Sequence, residues 1–289
     1  MQATVFGGSG FLGSHVCDAL SQNGFIVKIF DKKKSFWVKK NQKMIVGDIN
    51  DQVSIKKAIQ GSEIVYNFAG IADIDECKIK PIETIQQNIL GNAKIIEESI
   101  KNKVKRYVFA SSMYVYSKEG SFYRCSKKSS EMYLEEYAKL NNLQYTILRY
   151  GSLYGPRSNI NNGLYSFIYN AIKKNKLFYE GNPSSIREYI HVLDAAVLSV
   201  KVLDEKYANK KIILTGSHNI KMADLMLMIG EILGLKNKKI HTGKNKKITH
   251  YDITPYSFDD DHCFKLNSKL NIDLGQGILK LIEEIKKNV

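Results

Sequence analysis

The stretch Gly7-Gly-Ser-Gly-Phe-Leu-Gly13 follows an apolar run at residues 3–6 and opens an amphipathic run at residues 12–22. Glycines at this spacing allow a tight turn between a strand and a helix, and they let the backbone approach a pyrophosphate closely. The amino terminus of the following helix offers amide donors and a positive dipole to the same phosphates. The stretch therefore predicts a dinucleotide-binding unit. Its expected contact residues are Gly7, Gly10, Phe11, Leu12 and Gly13.

Strand-like and helix-like segments alternate through the first half of the chain. The predicted strands cover residues 3–6, 26–31, 44–46, 64–68, 106–110 and 144–149, and the predicted helices cover residues 12–22, 52–60, 82–101 and 123–140. Strands that are apolar throughout are typical of a parallel sheet covered on both faces. The pattern predicts an α/β fold with a doubly wound parallel (Rossmann) sheet and a smaller carboxyl-terminal substrate-binding lobe. We expect residues 1–151 and 187–215 in the NAD-binding domain, and residues 152–186 and 216–289 in the lobe.

The composition is that of a globular protein, with 44% hydrophobic and 25% charged residues in a chain of 289. Apolar runs are too short for a membrane-spanning helix. A first strand at residue 3 leaves no room for a cleaved signal, so we expect a cytoplasmic protein without membrane contact. The four cysteines are scattered, which favours reduced thiols over disulfides or a metal site.

The formal net charge is +14, and such a charge attracts polyanions without any specific site. The lysines are spread along the whole chain, as in Lys173-Lys174 and Lys286-Lys287. We therefore do not expect nucleic acid as the main ligand, and an anionic small substrate would benefit from the same field.

Acidic residues follow the second and third predicted strands. Asp31 ends the second strand about 20 residues after the glycine loop, where a carboxylate accepts hydrogen bonds from the adenosine ribose. A carboxylate there repels a 2′-phosphate, which favours NAD over NADP, although Lys32 and its two lysine neighbours weaken the argument. Asp48 and Ile49 follow the third strand, where an acid can meet the adenine amino group.

Tyr123 precedes Lys127 by four residues on a predicted helix, so both side chains lie on one face. An ammonium group beside a tyrosinate stabilises it and lowers the phenol pKa from its reference of about 10. Beside a bound nucleotide, this pair could transfer protons.

Taken together, the motifs resemble the extended short-chain dehydrogenase/reductases, in particular the NAD-dependent epimerase/dehydratase family that acts on nucleotide-sugars. The resemblance covers nearly the whole chain. The matching motifs are Gly7–Gly13, Gly47-Asp48-Ile49, Asn67-Phe-Ala-Gly70, Asn88, Ala110-Ser-Ser112, Tyr123 with Lys127, Leu148-Arg-Tyr150, Gly155-Pro-Arg157, Arg187-Glu-Tyr-Ile-His191 and Asp194.

The resemblance implies roles for residues around the cofactor. Tyr123 would be the catalytic base, Lys127 would bind the ribose and lower the tyrosine pKa, and Ser112 would hold the substrate oxygen. Ser111 would be a neighbour on the cofactor side, and Asn88 would contact the cofactor or a water near the lysine. The nicotinamide half of the groove would be lined by Phe68, Ala69, Gly70 and Ile71, and closed by the backbone at Tyr150.

The resemblance also implies a substrate site. Arg187 is the best candidate for the diphosphate, because a guanidinium matches phosphate oxygens, and Arg157 is a second candidate. Ser152 stands where many members have an asparagine that touches the diphosphate, and Tyr256 could touch the sugar or base. His191 is expected to be a buried structural histidine.

The expected reaction is NAD-dependent oxidation of C4 of a UDP- or GDP-linked sugar. Met113-Tyr114 stands where family dehydratases carry Asp-Glu, which argues against dehydration, and Tyr114 replaces the cysteine of the fucose-pathway epimerases. We slightly favour release of a 4-keto sugar, because the short connection from Ser112 to Tyr123 leaves little protein to enclose one. A 4-epimerase is the alternative, and a non-catalytic NAD-sensing or RNA-binding protein is the rival of another class. The family also suggests a homodimer and a role in polysaccharide biosynthesis.

Overall fold

The computed structural model of the protein describes residues 1–217, 219–235, 240–242, 250–255, 263–267 and 271–287, with the backbone alone at 240–242. The strands are β1 (Gln2–Phe6), β2 (Ile26–Asp31), β3 (Gln42–Val46), β4 (Ile64–Asn67), β5 (Arg106–Ser112), β6 (Tyr145–Tyr150), β7 (Ser152–Tyr154), β8 (Leu177–Tyr179), β9 (Ile186–His191), β10 (Lys210–Leu214), β11 (Asn219–Lys221), β12 (Ile240–Thr242) and β13 (Cys263–Lys265). The α-helices are α1 (Phe11–Gln22), α2 (Gln52–Ile59), α3 (Ile74–Ile79), α4 (Pro81–Thr84), α5 (Gly91–Lys101), α6 (Ser121–Asn141), α7 (Gly163–Lys174), α8 (Val192–Lys201), α9 (Met222–Ile232) and α10 (Leu274–Lys287).

An eight-stranded sheet with the order β13-β10-β6-β5-β4-β1-β2-β3 forms the centre of the protein. Every pairing within it is parallel. The chain winds outward from β1 in one direction and from β4 in the other, so the sheet has its switch point between these two strands. The predicted doubly wound fold is confirmed.

Both faces of the sheet are covered, as the apolar strands require. One apolar cluster includes Val16 and Leu20 of α1 and Leu198 of α8, and the other includes Ile55 of α2, Ile95 of α5 and further side chains of α6. The four predicted helices of the first half each overlap an observed helix, and Asp51 caps α2 by accepting from the Val53 and Ser54 amides.

The smaller lobe has its own apolar cluster, built from α7, α9 and α10. Strand β9 pairs with β7 and β11 in a three-stranded sheet, and β13 joins the edge of the large sheet. Both pairings cross the expected boundaries, since β9 was assigned to the first domain and β13 to the lobe. The division into two domains stays a prediction.

The predicted helix at 82–101 contains a change in winding. Residues Ile85–Leu90 form a π-helix between α4 and α5, and Asn88 lies in it. Single π turns inside helices often accompany functional sites. The wider turn aims the buried Asn88 side chain at the loop after β4, as described next.

Candidate active site

The glycine loop packs tightly against the backbone that follows β4. Gly7 has φ +75°, and a Cβ at this position would lie 2.7 Å from the Ala69 nitrogen. A Cβ on Gly13 would lie 2.2 Å from the Gly7 carbonyl oxygen. Only glycine fits at either position, so the sequence of the loop is set by backbone contact. Leu12 packs instead into the core beneath α1.

A groove of about 700 Å³ runs from this loop in both directions. Gly10 borders the groove at the amino terminus of α1, where backbone amides can receive a diphosphate. The groove therefore fits an extended dinucleotide. Its lining includes the predicted residues Gly7, Gly10, Phe11, Asp31, Lys32, Ile49, Phe68, Ala69, Gly70 and Ile71.

Asp31 is held rigidly at one end of the groove. Its carboxylate accepts from the Ser9 amide at 3.0 Å and from the Lys33 amide at 3.2 Å. Lys32 also borders the groove, and its Nζ pairs with Asp48 at 3.2 Å. The charge of Lys32 is therefore already compensated by Asp48. The fixed carboxylate of Asp31 can accept hydrogen bonds from ribose hydroxyls.

Asn88 fixes the loop at the other end of the groove. Its Oδ1 accepts from the Ile71 amide at 2.7 Å, and its Nδ2 donates to the Ile71 carbonyl and to Ser126 Oγ, each at 2.9 Å. Every polar atom of this buried side chain is thus used within the protein. Asn88 shapes the cofactor groove from behind and connects it to α6.

Ser112, Tyr123 and Lys127 come together where β5 ends beside α6. A side-chain hydrogen bond with Ser112 lowers the Tyr123 pKa, but burial is the larger effect and raises it to about 12. Burial lowers the pKa of Lys127 to about 8, and its Nζ donates to the Ala110 carbonyl at 2.8 Å.

The structure does not show the expected lowering of the Tyr123 pKa by Lys127. Lys127 Nζ lies 5.8 Å from the centre of the Tyr123 ring, and its hydrogen bond points it at β5. The causes that lower the Tyr123 pKa include Ser112, whereas Lys127 is not among them. Desolvation therefore has the largest effect on the pKa of both Tyr123 and Lys127.

A buried network lies behind Ser112. The Ser111 hydroxyl donates to Glu131, and Glu131 forms a bidentate ion pair with Arg149 at 3.0 and 2.6 Å. Arg149 also donates to the Tyr116 hydroxyl. Ser111 is thus engaged in this network, not with the cofactor groove as expected. The sequence analysis missed Glu131, although it lies four residues after Lys127.

A second cleft, of about 1270 Å³, opens beside Tyr123. Its walls come from the ends of the large sheet and from the smaller lobe. The predicted residues Ser112, Tyr123, Tyr150, Ser152 and Arg187 all border it. The two openings share lining residues, including Asp73 and Leu153, so a ligand in one lies next to a ligand in the other.

Arg187 presents its guanidinium to this cleft. It stacks on the Tyr251 ring at 4.5 Å, and the adjacent Glu188 pairs with Lys265 at 2.8 Å. A stacked guanidinium keeps its hydrogen-bonding edge available for an anion.

A phenol–imidazole pair that the sequence analysis missed borders the same cleft. The Tyr114 hydroxyl and His250 Nδ1 are hydrogen-bonded at 2.5 Å, and the Tyr114 ring meets the Tyr123 ring edge-on at 6.1 Å between centroids. Burial lowers the His250 pKa and raises that of Tyr114, so both groups are neutral near pH 7. The two residues are 136 positions apart, a distance that no local motif could bridge.

Two other predicted residues, Arg157 and His191, lie apart from the cleft. Arg157 pairs with Asp18 at 2.7 Å and stacks on Trp37, so it fastens a loop to α1. His191 is buried and accepts from the Leu193 amide as the cap of α8, and burial lowers its pKa to about 4. Tyr256 lies outside the described residues.

Residues 3–216 match the model of the NAD dependent epimerase/dehydratase family. The chain belongs to this family. It is 30% identical over 276 residues to a UDP-N-acetyl-alpha-D-glucosaminuronate decarboxylase of Bacillus cytotoxicus, with 85% of this chain and 84% of that protein covered. It is 26% identical over 309 residues to a putative UDP-glucose 4-epimerase of Methanocaldococcus jannaschii, with 98% of each chain covered.

Solved structures share the fold. A UDP-glucose 4-epimerase of Thermotoga maritima with UDP-glucose has a TM-score of 0.84 at 24% identity, covering 100% of this chain and 99% of that one. A UDP-glucuronic acid 4-epimerase of Bacillus cereus in complex with UDP-glucuronic acid and NAD has a TM-score of 0.85 at 21% identity, covering 100% of both. Family membership confirms the predicted family, the predicted NAD cofactor and the prediction that the protein is an enzyme.

The rigid Asp31 carboxylate makes cofactor choice testable. We expect NAD to bind at least about tenfold more tightly than NADP, because a 2′-phosphate would replace a charge-assisted hydrogen bond with repulsion. Asp31→Ala should weaken NAD binding and bring the NAD and NADP affinities closer together. Lys32→Ala removes a lysine already paired with Asp48, so it should change the ratio of the two affinities little. Isothermal titration calorimetry measures both affinities. Equal affinities in the wild type would mean that the lysines outweigh Asp31.

Proposed function

We propose that the protein is an NAD-dependent 4-epimerase of UDP-linked neutral hexoses. The observation that carries this proposal is that Ser112 and Tyr123 border a large cleft, walled in part by the smaller lobe, which shares Asp73 and Leu153 with the lining of the dinucleotide groove. A sugar held in that cleft can present C4 to the base and to the cofactor at once.

The residues account for both halves of the reaction. The residues that line the groove would hold NAD, which would supply the acceptor and donor of the C4 hydride. Ser112 holds the C4 hydroxyl, and Tyr123 takes its proton as the C–H electron pair leaves, so that a C4 carbonyl forms. After the sugar turns its other face, Tyr123 returns the proton to the C4 oxygen. Lys127 is mostly protonated at neutral pH, since its pKa of about 8 lies above it. Its ammonium group donates to the Ala110 carbonyl and would have to turn toward Tyr123 to stabilise the phenolate. No atoms are lost or gained.

The size of the cleft favours epimerisation over release of a keto sugar, and this reverses the slight preference drawn from the sequence. The short Ser112–Tyr123 connection does leave little protein on that side. Residues 179–182 and 250–252 supply the missing wall from the smaller lobe. At about 1270 Å³ the cleft exceeds the roughly 300–1,000 Å³ usual for ligand pockets, so a sugar bound in it has room to turn.

The charges of the cleft favour a neutral sugar. Its described lining has the carboxylates Asp73, Asp75 and Asp252, against the single guanidinium of Arg187 and the imidazole of His250. If Arg187 binds the diphosphate, a uronic acid would place its carboxylate among negative charges. A hexose or N-acetylhexosamine avoids this repulsion. The UDP group is inferred from the relatives, whose names all specify UDP-sugars.

The test follows the products of a panel of UDP- and GDP-sugars by mass and proton NMR. The wild type should convert a neutral UDP-hexose to its C4-inverted isomer of unchanged mass. Tyr123→Phe should lower turnover by about 10²–10⁴-fold while NAD still binds, because the general base is lost and the ring remains. Tyr207→Phe, which removes a hydroxyl from a residue that borders neither the groove nor the cleft, is the matched control and should retain activity.

Each other product would point to a different enzyme. A product lighter by two hydrogens would indicate the dehydrogenase, and loss of carbon dioxide from a UDP-uronate would indicate a decarboxylase. Loss of water would contradict the argument from Met113-Tyr114. No turnover with any sugar, despite tight NAD binding, would favour the NAD-sensing or RNA-binding alternative.

Arg187 provides a second test, of the substrate site alone. Arg187→Ala should raise the KM for the UDP-sugar by roughly 10- to 100-fold, because a hydrogen bond to a charged group contributes about 1.5–3 kcal/mol. Arg157→Ala is the control, since Arg157 pairs with Asp18 outside the cleft and its loss should leave the KM unchanged. Steady-state kinetics distinguish the two, and an unaltered KM in Arg187→Ala would remove this residue from the diphosphate site.

We also propose that the protein is a homodimer joined through α6 and the neighbouring helical segment of residues 81–90. Apolar side chains stand exposed on α6 and on the helical segment from α4 to α5, and an apolar face of this kind is typical of an interface. These side chains are Ile82, Ile85, Leu90, Met132, Tyr133 and Leu140.

Sedimentation velocity tests the dimer. Met132→Glu should shift the protein to a monomer, because it places a charge in the apolar contact. Val53→Glu, at an exposed apolar residue of α2, should leave the dimer intact. A wild type that sediments as a monomer at micromolar concentration would contradict the proposal.

Cytoplasmic location remains a proposal as well. It is supported by free cysteines, of which Cys125 is exposed, since an exposed thiol is stable in a reducing compartment. Among the described helices, none is both long and apolar enough to cross a membrane.

A further inference from the structure

The connection between β2 and β3 carries a basic and aromatic sequence, Lys32-Lys-Lys-Ser-Phe-Trp-Val-Lys-Lys40, which we call the basic loop. Five of its nine residues are lysines, and three consecutive apolar residues lie between them. The sequence analysis treated its first three lysines as a possible influence on cofactor choice. Their position in the structure indicates a different role.

The apolar centre of the basic loop points into solvent. Phe36 is 95% exposed, Trp37 42% and Val38 39%. Large apolar side chains that stand together in water are unusual on a folded surface and commonly mark a site of interaction. Phe36 has the largest exposed fraction among the exposed apolar residues of the described chain.

Phe36, Trp37 and Val38 form the exposed tip of the basic loop. The backbone on both sides of this tip is fixed by contacts with the rest of the protein. Ser35 is buried, and its hydroxyl accepts from the Trp37 amide at 3.1 Å. The Trp37 ring stacks on Arg157 at 4.6 Å. The Lys39 amide donates to Gln42 Oε1 at 2.9 Å, and Lys39 Nζ pairs with Asp18 at 2.9 Å. Exposure of Phe36 therefore follows from a fixed backbone.

Positive charges predominate around the tip. Lys32 is paired with Asp48 and Lys39 with Asp18. Within the described part of the chain, no ion pair includes Lys33, Lys34 or Lys40. Three exposed ammonium groups thus flank Phe36 and Val38, at less than a Debye length along the loop.

We propose that the basic loop docks the protein on the surface of an anionic lipid bilayer. Phe36 and the exposed edge of Trp37 enter the interfacial layer, where aromatic side chains prefer to lie. Lys33, Lys34 and Lys40 remain at the level of the acidic headgroups, where each lysine strengthens binding by about fivefold. This association needs no spanning segment, and it departs from our expectation of no membrane contact.

A nucleic acid fits the same loop less well. Single strands bind through aromatic faces on which bases stack, and one face of Trp37 is already covered by Arg157. Val38 offers no stacking surface. Its apolar character is useful only where the partner is itself apolar, as the acyl region beneath the headgroups is.

The docking surface is separate from the substrate cleft. No residue from 32 to 40 is among the described residues that border the cleft, and Phe36 and Val38 do not border the cofactor groove. Changes at the tip should therefore leave turnover and NAD affinity unchanged, so membrane binding can be tested independently of the proposed function.

Trp37 is the single tryptophan of the chain, so its fluorescence reports directly on the loop. The experiment titrates the full chain with vesicles of phosphatidylcholine alone, or of phosphatidylcholine mixed with phosphatidylglycerol, and measures emission and co-sedimentation. We expect a blue shift and binding with the mixed vesicles only. Phe36→Ser should weaken co-sedimentation by about tenfold, because the phenyl ring no longer leaves water. Lys34→Ser with Lys40→Ser should weaken it by about 25-fold.

The matched control carries the same kinds of change on α2: Val53→Ser with Lys56→Ser and Lys57→Ser, all at exposed positions. It should bind vesicles nearly as the wild type does, and unaltered NAD affinity will show that each variant is folded. The proposal is overturned if the wild type does not bind anionic vesicles. It is also overturned if the control weakens binding as much as the loop variants, which would indicate general attraction by the net charge. A Trp37 shift with single-stranded RNA and none with vesicles would assign the loop to nucleic acid.

Discussion

The close approach between the Gly7 backbone and the start of the loop after β4 is the contact on which the rest of the site depends. Because a Cβ on Gly7 would lie 2.7 Å from the Ala69 nitrogen, the phosphate loop and the nicotinamide end of the groove have a fixed separation. The Ala69 amide donates to Asn67 Oδ1 at 3.0 Å, and Asn88 holds both polar backbone atoms of Ile71. Asn88 then donates to Ser126, which is adjacent to Lys127. A continuous series of contacts thus connects Gly7 to helix α6.

The position of Ser112 depends on a second constraint, the buried ion pair between Glu131 and Arg149. Buried ion pairs contribute little net stability, because desolvation offsets the attraction, but losing one partner leaves an uncompensated charge. Here the pair holds Ser111 through Glu131 and Tyr116 through Arg149. These two residues lie immediately before Ser112 and four positions after it. The pair therefore fixes the end of β5 in register with α6, which is a positional role more than an energetic one.

Local sequence signals predicted the parts of the protein that rest on neighbouring residues. The glycine loop, the strand ending at Asp31 and the helix face shared by Tyr123 and Lys127 all have short-range patterns, and they lie where expected. The failures involve contacts between distant parts of the chain. Arg157 was assigned to the substrate, but its partner, Asp18, lies 139 residues away. The Tyr114–His250 pair was missed for the same reason, and the π turn at Asn88 has the same apolar spacing as an ordinary helix.

The two perturbed pKa values at the catalytic site have one cause and one consequence. Burial disfavours charge on both groups, so it raises the pKa of the acid Tyr123 to about 12 and lowers that of the base Lys127 to about 8. With a pKa of about 12, the Tyr123 hydroxyl is protonated near pH 7. A positive charge held beside a phenol in a desolvated site stabilises the phenolate strongly, because the local dielectric constant is low. The burial that raises the Tyr123 pKa therefore also strengthens the effect of any cation held beside its hydroxyl.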